Sequence, residues 1–250
     1  MLTLLNVDAN PKTVKGVEHG FQTAVFYAMP AMASGFQACA NAALAGCDVP
    51  CLTFAGRGGI ASGTFTTPGG VTVPDNAIQR ARLARTLFFF NDQPGFMAQM
   101  VAEVGKAVKK AHKRGLVPVV RLNGTMDTRW EDIPVNGAPH IFALFPDVQF
   151  YDYTKLGNRR RALGIPNYHL TFSYSHRPEF ARIVVQALQT YGEQVNFAVV
   201  FRGKLPETFL GRRVVSGDDS DLRFLDEKGV VVGLTAKGRA KRDTSGFVVG

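Results

Sequence analysis

The sequence predicts an α/β protein built on a parallel sheet, in the form of a partial TIM-like barrel of six βα units. Strand-like and helical segments alternate along most of the 250 residues, which is typical of parallel sheets. Segments such as LVPVVRL (116–122) and VNFAVVF (195–201) are apolar at nearly every position, as in strands buried on both faces. Five or six units can be counted, fewer than the eight of a closed barrel. An open doubly wound sheet is the alternative.

The first predicted strand is QTAVFYAMP (22–30), and a loop that holds every cysteine follows it. Two Thr/Val/Phe runs around Pro68-Gly69-Gly70 predict a β-hairpin insertion over residues 63–74. Asp75 is a candidate cap for a helix over residues 76–91. Apolar residues at helical spacing predict a second helix that begins near Pro94 and ends at Gly115.

The rest of the chain continues the alternation and then becomes rich in β-structure. Predicted strands lie at 116–122, 148–153, 168–174 and 195–201, and predicted helices lie near 138–145 and at 177–192. Residues 205–250 read as a C-terminal β-rich extension with strand-like runs RRVVSG, DLRFLD and VVVGL. We therefore expect a single α/β domain over residues 1–250, with the hairpin and the extension as additions.

Composition and charge indicate a soluble protein with an anionic partner. The chain is 46% hydrophobic and 20% charged, and no apolar run approaches the 18 residues that would suggest a membrane span. The N-terminus does not resemble a signal peptide, so we expect a cytoplasmic protein and no membrane partner. A net charge of +9 favours nucleic acid or a nucleotide as partner, and a basic but unspecific surface is the alternative. The basic residues are clustered at 106–114, 159–161 and 237–242.

Polar residues follow the predicted strands at the edge where parallel α/β folds carry their chemistry. Asp127 and Asp152 are candidates to bind a substrate hydroxyl or to act as a base, and Lys155 suits a phosphate or carboxylate. His176 is a fourth catalytic candidate. Asn123 and Ser173, at the ends of two strands, are candidates for cofactor binding. Each of these residues could instead cap a helix or simply be a polar loop residue.

The three cysteines, Cys39, Cys47 and Cys51, are candidate metal ligands with the spacing C-x7-C-x3-C. Thiolates gathered on one loop of a reduced protein favour an iron–sulfur cluster or zinc. Three thiolates can hold a [4Fe–4S] cluster and leave one iron open for S-adenosylmethionine. Zinc is the alternative and would need a fourth ligand, such as His19. Three unligated cysteines are the remaining possibility.

A glycine-rich turn follows the cysteines at once. Gly56, Arg57 and Gly58 are candidates for cofactor binding, because glycines let backbone N–H groups approach an anion and arginine adds a bidentate donor. A flexible connector to the hairpin is the other interpretation of this turn.

Several segments together resemble a known family. The three cysteines, AGRGG (55–59), RARLART (80–86), FPDVQFYDYTK (145–155) and NYHLTFSYS (167–175) are similar to a bacteriophage family, the gene eighty-eight type of protein. The resemblance covers about residues 20–250. It implies a phage origin and a place in the host-cell cytoplasm, and it supplies no catalytic role. Leu52 follows the third cysteine where many members have tyrosine, which weakens a more distant link to radical S-adenosylmethionine partial barrels.

These observations predict a phage-encoded metal-dependent enzyme, with a [4Fe–4S] cluster and S-adenosylmethionine, that modifies a nucleotide or a nucleic-acid base. A zinc-containing base-exchange transglycosylase, with Asp127 or Asp152 as nucleophile, is the second hypothesis. A non-catalytic, basic nucleic-acid-binding phage protein is the third.

Overall fold

The structure is a computed structural model and describes residues 2–8 and 11–250. Within these residues the backbone forms eleven strands and seven α-helices. The strands are β1 (Leu5–Val7), β2 (Phe21–Phe26), β3 (Thr64–Thr66), β4 (Thr72–Pro74), β5 (Val117–Arg121), β6 (Gln149–Thr154), β7 (Tyr168–Ser173), β8 (Asn196–Phe201), β9 (Thr208–Phe209), β10 (Arg212–Ser216) and β11 (Val231–Thr235). The helices are α1 (Pro11–Lys15), α2 (Ala42–Ala45), α3 (Ala77–Asn91), α4 (Gln93–Lys113), α5 (Ile141–Leu144), α6 (Arg160–Leu163) and α7 (Ala181–Tyr191).

Nine of the strands form one sheet in the order β1-β2-β5-β6-β7-β8-β11-β10-β9. The pairs from β2 to β10 are parallel, and the two edge strands, β1 and β9, add antiparallel. The other two strands, β3 and β4, form a separate antiparallel hairpin. The result is one long, mixed sheet with an edge at each end.

The prediction of a partial TIM-like barrel is wrong, because the sheet is open and mixed. The alternation of strands and helices indicates parallel pairing and crossover connections, and these features are present. Closure is a different property, because it depends on which strands lie at the two ends and on their stagger. Here the ends are β1 and β9, two short antiparallel strands. Neither was among the strands that the alternating pattern predicted.

Helices α4 and α7 pack on one face of the sheet, which we call the first face. From β2 to β8 each strand lies beside its predecessor on the same side, and right-handed crossovers then place every connection on the same face. Ring contacts follow this rule, since Phe26 of β2 packs on Phe96 of α4 and Phe172 of β7 packs on Tyr191 of α7. The main hydrophobic core therefore lies between the first face and the helices.

The second face is partly covered by irregular chain. β11 inserts between β8 and β10, so the connection from β10 to β11 runs backwards and crosses the opposite face. There Phe224 packs on Phe21 and Tyr151, with ring centroids 5.4 Å and 5.7 Å away. The predicted strand at DLRFLD (221–226) is wrong, because this crossover contains a 3₁₀ turn instead.

Local sequence accounts for the two long helices. The cap of α3 is Asn76 rather than the predicted Asp75; its side chain accepts from the Gln79 amide at 2.9 Å. Asp92 caps α4 by accepting from the Gly95 amide at 3.0 Å. Each cap of this kind stabilises a helix by about 1 kcal/mol. None of the helices in the described ranges is long and apolar enough to cross a membrane.

Candidate functional site

The cysteine segment, residues 39–59, lies across the C-terminal ends of the parallel strands. Ser175, just after β7, donates a hydrogen bond from its hydroxyl to the Ala45 carbonyl at 2.7 Å. The Asp127 amide, from the loop after β5, donates to the Ala38 carbonyl at 2.9 Å. These bonds join positions far apart in sequence, so the tertiary fold fixes where the thiols lie.

All three cysteines are free and half-buried. The Cys39 thiol donates weakly to the Thr125 carbonyl, 3.8 Å away, and the Cys47 thiol donates to the Ala42 carbonyl at 3.7 Å. Cys39 and Cys47 each interact electrostatically with the other two cysteines, so the sulfurs share one neighbourhood. Among residues 2–8 and 11–250 no three His, Cys, Asp or Glu side chains are arranged as a finished metal site.

Burial controls the ionisation of two of these thiols. Removal from water raises the pKa of Cys39 well above its ordinary value of 9.0, and nearby Asp127 adds to the rise. Burial also raises the pKa of Cys47, to about 11, although Lys155 partly opposes this. Both thiols are therefore protonated at neutral pH, and neither is an activated nucleophile in this state.

Lys155 lies beside the thiols. Its ammonium donates to the Ser173 hydroxyl at 2.7 Å and to the Ser173 carbonyl at 3.1 Å, and it lies 4.6 Å from the Phe247 ring centroid. Burial lowers the pKa of Lys155, and the neighbouring Cys47 and Asp127 oppose this effect only in part. The ammonium is thus a fixed cation in a poorly hydrated place.

Asp127 completes the group. One carboxylate oxygen accepts from the Thr154 hydroxyl at 2.9 Å, and the other accepts from the Lys155 amide at 2.7 Å. The carboxylate also lies 3.9 Å from the Arg159 guanidinium, and its side chain is 10% exposed. Burial raises the pKa of Asp127, and Arg159 opposes the rise.

The structure thus brings together six of the predicted site residues from four parts of the chain. We call this set the edge cluster: Cys39, Cys47, Cys51, Asp127, Lys155 and Ser173. It combines three soft donors, one carboxylate, one hydroxyl and one cation at the C-terminal edge of the sheet. This edge is where α/β folds bind ligands.

Asp152 lies elsewhere. Its side chain is fully buried on the first face, where it accepts from the Asn123 amide at 2.6 Å and from the Tyr168 hydroxyl at 2.9 Å. Burial raises the pKa of Asp152 to about 7, although the Asn123 bond and the arginines 121 and 159 oppose the rise. Asp152 therefore belongs to the core and reaches the edge cluster only through other side chains.

Asn123 and His176 are also separate from the thiols. The Asn123 side chain is buried and accepts from the Trp130 indole at 2.9 Å and from the Thr128 amide at 3.0 Å. These bonds order the loop after β5. His176 is exposed, and its ring nitrogen Nδ1 lies 2.9 Å from the Tyr174 hydroxyl.

The glycine-rich turn has a partly structural role. Residues 56–59 form a 3₁₀ turn, and the Arg57 side chain is exposed. A Cβ atom on Gly58 would lie 2.7 Å from the Thr53 carbonyl oxygen, so this position requires glycine for packing. The Gly58 carbonyl accepts a hydrogen bond from the side-chain amide of Gln79 at 2.7 Å, and this bond holds the turn against α3. Gly56 adopts φ +55°, a left-handed conformation that glycine adopts readily.

A buried ion pair supports the site, and it did not feature among the predicted site residues. The Arg159 Nε lies 2.9 Å from a Glu131 oxygen, and both side chains are essentially inaccessible to water. Arg159 also donates to the Tyr168 hydroxyl at 2.9 Å, so it links Asp127 to the Asp152–Tyr168 pair. The sequence did not indicate that Arg159 is buried, because Arg159 belongs to a run of three arginines, which is typical of an exposed surface.

The C-terminal edge also carries exposed basic residues. The Arg239 guanidinium lies 4.8 Å from the centroid of the Phe54 ring, which joins the end of the chain to the cysteine segment. Exposed basic residues at this edge include Arg57, Lys237, Arg239, Lys241 and Arg242. Another predicted basic cluster lies on the second half of α4, which ends where β5 begins and is therefore at the opposite edge.

Comparison with known proteins gives one family. The comparisons with curated proteins and with solved structures gave no match. The family model described as gene product 88 matches residues 3–250, nearly the whole chain. This match confirms the resemblance to the bacteriophage gene eighty-eight type of protein. The chain therefore belongs to the gene product 88 family.

Proposed function

We propose that this phage protein is a cytoplasmic enzyme whose edge cluster binds a soft metal centre through three thiolates and acts on a nucleotide or a nucleic-acid base. One observation supports the proposal above all others. The only cysteines of the chain share one neighbourhood, and Lys155 lies within electrostatic range of all three. Packing against the main core accounts for the burial of Cys39 and Cys47, but it does not account for a buried ammonium beside them.

The donor set suits a soft metal in chemistry and in charge. Metal binding requires thiolates, so the protons that burial holds on Cys39 and Cys47 would be released. Three thiolates around a divalent ion leave one net negative charge, which the Lys155 ammonium would balance. The thiol side chains would have to turn toward one another, because no finished site exists in the described residues.

An iron–sulfur cluster is our first choice of metal centre and zinc our second. A [4Fe–4S] cluster held by three cysteines would supply an open iron for S-adenosylmethionine. Zinc would instead support the base-exchange transglycosylase alternative. In that case Asp127 is the better nucleophile, because it lies in the edge cluster and Asp152 is fully buried.

The other side chains would bind and orient the substrate. Lys155 and Arg57 would hold anionic groups, and Ser173 fixes the Lys155 ammonium. The Asp127 carboxylate would position Lys155 by accepting a hydrogen bond from the Lys155 backbone amide, and it would accept a proton from the substrate. His176 is exposed at the same edge and would contact the outer part of a substrate.

Metal analysis tests this proposal directly. Protein purified without oxygen and reconstituted with iron and sulfide, or with zinc, should hold about one centre per chain. The single variants Cys39→Ser, Cys47→Ser and Cys51→Ser should each lose most of it, whereas Ser62→Ala, at an exposed position after the glycine-rich turn, should keep it. A wild-type protein that holds neither iron nor zinc under these conditions would refute the metal centre.

A second candidate function is non-catalytic binding of nucleic acid, favoured by the exposed basic residues of the C-terminal edge. Two double variants, each of which reverses two positive charges, distinguish binding at this edge from a general attraction between the protein's net charge and nucleic acid. Lys241→Glu with Arg242→Glu lies beside the cysteine segment, and Lys109→Glu with Lys110→Glu lies at the opposite edge. Binding of a labelled oligonucleotide should weaken much more with the first pair than with the second. Equal losses would show that only net charge matters.

A further inference from the structure

The second face of the sheet keeps a partly open area next to the edge cluster. On the first face, Phe26 and Phe172 are fully buried near the strand ends. On the second face, at similar heights, Tyr27, Tyr153 and Ser173 all retain access to solvent. We call this area the second-face recess and define it by Tyr27, Arg121, Tyr153, Ser173 and Val200.

Three parts of the chain border the recess. The crossover from β10 to β11 lies at its base, where Asp221 forms an ion pair with Arg121 at 3.2 Å. The C-terminal segment borders Val200 through a small apolar cluster of Ala236, Ala240 and Val248. On the third side α3 brings Arg82 to Tyr27. Contacts from three separate segments therefore hold the side chains of the recess in place.

Its chemistry consists of two arginine–tyrosine pairs. The Arg121 guanidinium lies 4.7 Å from the Tyr153 ring centroid, and the Arg82 guanidinium lies 5.4 Å from the Tyr27 ring centroid. Both arginines are anchored, Arg121 by Asp221 and Arg82 by the Thr53 carbonyl at 2.7 Å. Flat rings and guanidinium planes that are held in place form stacking surfaces for another planar group.

Both guanidinium groups also have an unused donor. The Nε atoms of Arg82 and Arg121 are buried and have no hydrogen-bond partner among the described residues. Buried donors of this kind usually have a partner, and a bound ligand is one source of it. The ring nitrogens and carbonyl oxygens at the edge of a nucleobase are suitable acceptors.

The recess is continuous with the edge cluster and has the same positive character. Arg82 interacts electrostatically with Cys51, and Lys155 contacts Ser173 of the recess. A ligand that places a planar group between the tyrosines would therefore bring an attached anion near Lys155. A planar aromatic group joined to a phosphate is the chemistry of a nucleotide.

We propose that the second-face recess binds the base of a nucleotide, free or within a single strand, by stacking on Tyr27 and Tyr153. This inference rests on the proposed function for the class of substrate alone, which is a nucleotide or a nucleic-acid base. It does not require that the edge cluster bind a metal. Stacking of a base on an aromatic side chain strengthens binding about five-fold or more. The recess therefore accounts for base recognition and leaves phosphate recognition to the cations of the edge.

Calorimetric titration with matched ligands and variants tests the proposal. The probes are the four ribonucleoside monophosphates, a short single-stranded oligonucleotide, and ribose 5-phosphate, which lacks a base. Tyr27→Leu and Tyr153→Leu should each weaken binding of at least one base-containing probe by about five-fold or more. Neither change should alter the binding of ribose 5-phosphate. Tyr27→Phe and Tyr153→Phe keep the ring and should bind nearly as wild type does.

The outcomes separate the recess from the metal centre. Titrations are run on the protein as purified and again after removal of metal. Base-dependent binding in both forms, with loss only in the leucine variants, supports the recess even if no metal is ever found. Equal binding by the leucine and wild-type proteins, all folded by circular dichroism, would overturn the inference. No binding of any base-containing probe by wild-type protein would also overturn it.

Discussion

Replacing Asp152 with asparagine should make the protein more stable at alkaline pH and leave it nearly unchanged at acidic pH. Asp152 is fully buried, and its two oxygens accept from the Asn123 amide and the Tyr168 hydroxyl. An asparagine of the same shape keeps the first bond, and its amide group can donate to the tyrosine oxygen. The main difference is the charge, which Asp152→Asn removes.

The size of the effect follows from the pKa. Burial raises the pKa of Asp152 from an ordinary 3.8 to about 7. Between these values the unfolded chain ionises while the folded chain keeps its proton, so the free energy of unfolding falls as pH rises. Each pH unit of this interval costs about 1.4 kcal/mol, which gives roughly 4 kcal/mol in total. The asparagine variant does not have this cost.

Urea unfolding of both proteins from pH 3.5 to pH 8.5 measures it. The free energy of unfolding of Asp152→Asn, relative to wild type, should rise across pH 4–7 by up to roughly 4 kcal/mol and then level off. Asp147→Asn, at an exposed position, controls for the loss of one charge. A difference between Asp152→Asn and wild type that stays constant with pH would refute the reasoning.

Three further predictions concern the buried cations and a packed glycine. Arg159→Met leaves Glu131 buried without its partner and should lower the free energy of unfolding by about 3–5 kcal/mol; a loss below 1 kcal/mol in urea unfolding would contradict this. Lys155→Met removes the cation that lowers the pKa of Cys47, so that pKa should rise above about 11. Alkylation of the Cys47 peptide at rising pH, followed by mass spectrometry, should shift to higher pH, and an unchanged profile would exclude this role. Gly69→Ala would place a Cβ atom 1.8 Å from the Met32 carbonyl oxygen and should lower the free energy of unfolding by about 1–3 kcal/mol. The same urea unfolding measures this loss, and wild-type stability would show that the hairpin packs differently.

The helices show how far local sequence goes. Helix α3 covers Ala77–Asn91 and α4 begins at Gln93, close to the predicted 76–91 and to the start near Pro94. Caps and apolar spacing act within a few residues, so the sequence contains the necessary information. The cap of α3 was misplaced by one residue because Asp75 and Asn76 are both good caps, and Asp75 instead pairs with Arg80.

The edge strands show where local sequence fails. β1 and β9 are three and two residues long, and such short runs carry no reliable alternation. Their partners, β2 and β10, decide whether they become strands. Because these strands form the ends of the sheet, the sequence without them did not decide between the partial barrel and the open sheet.

The sequence by itself determined the family, the mostly parallel pairing of the strands and the position of the cysteines directly after a buried strand, because each of these can be recognised in short segments of the chain. Only the tertiary structure decided which polar side chains meet. Lys155 and Asp127 join the thiols, whereas Asp152, three residues before Lys155, points into the core. Neighbouring residues of a strand face opposite sides, and long-range packing alone decides which side faces the helices and which side stays open.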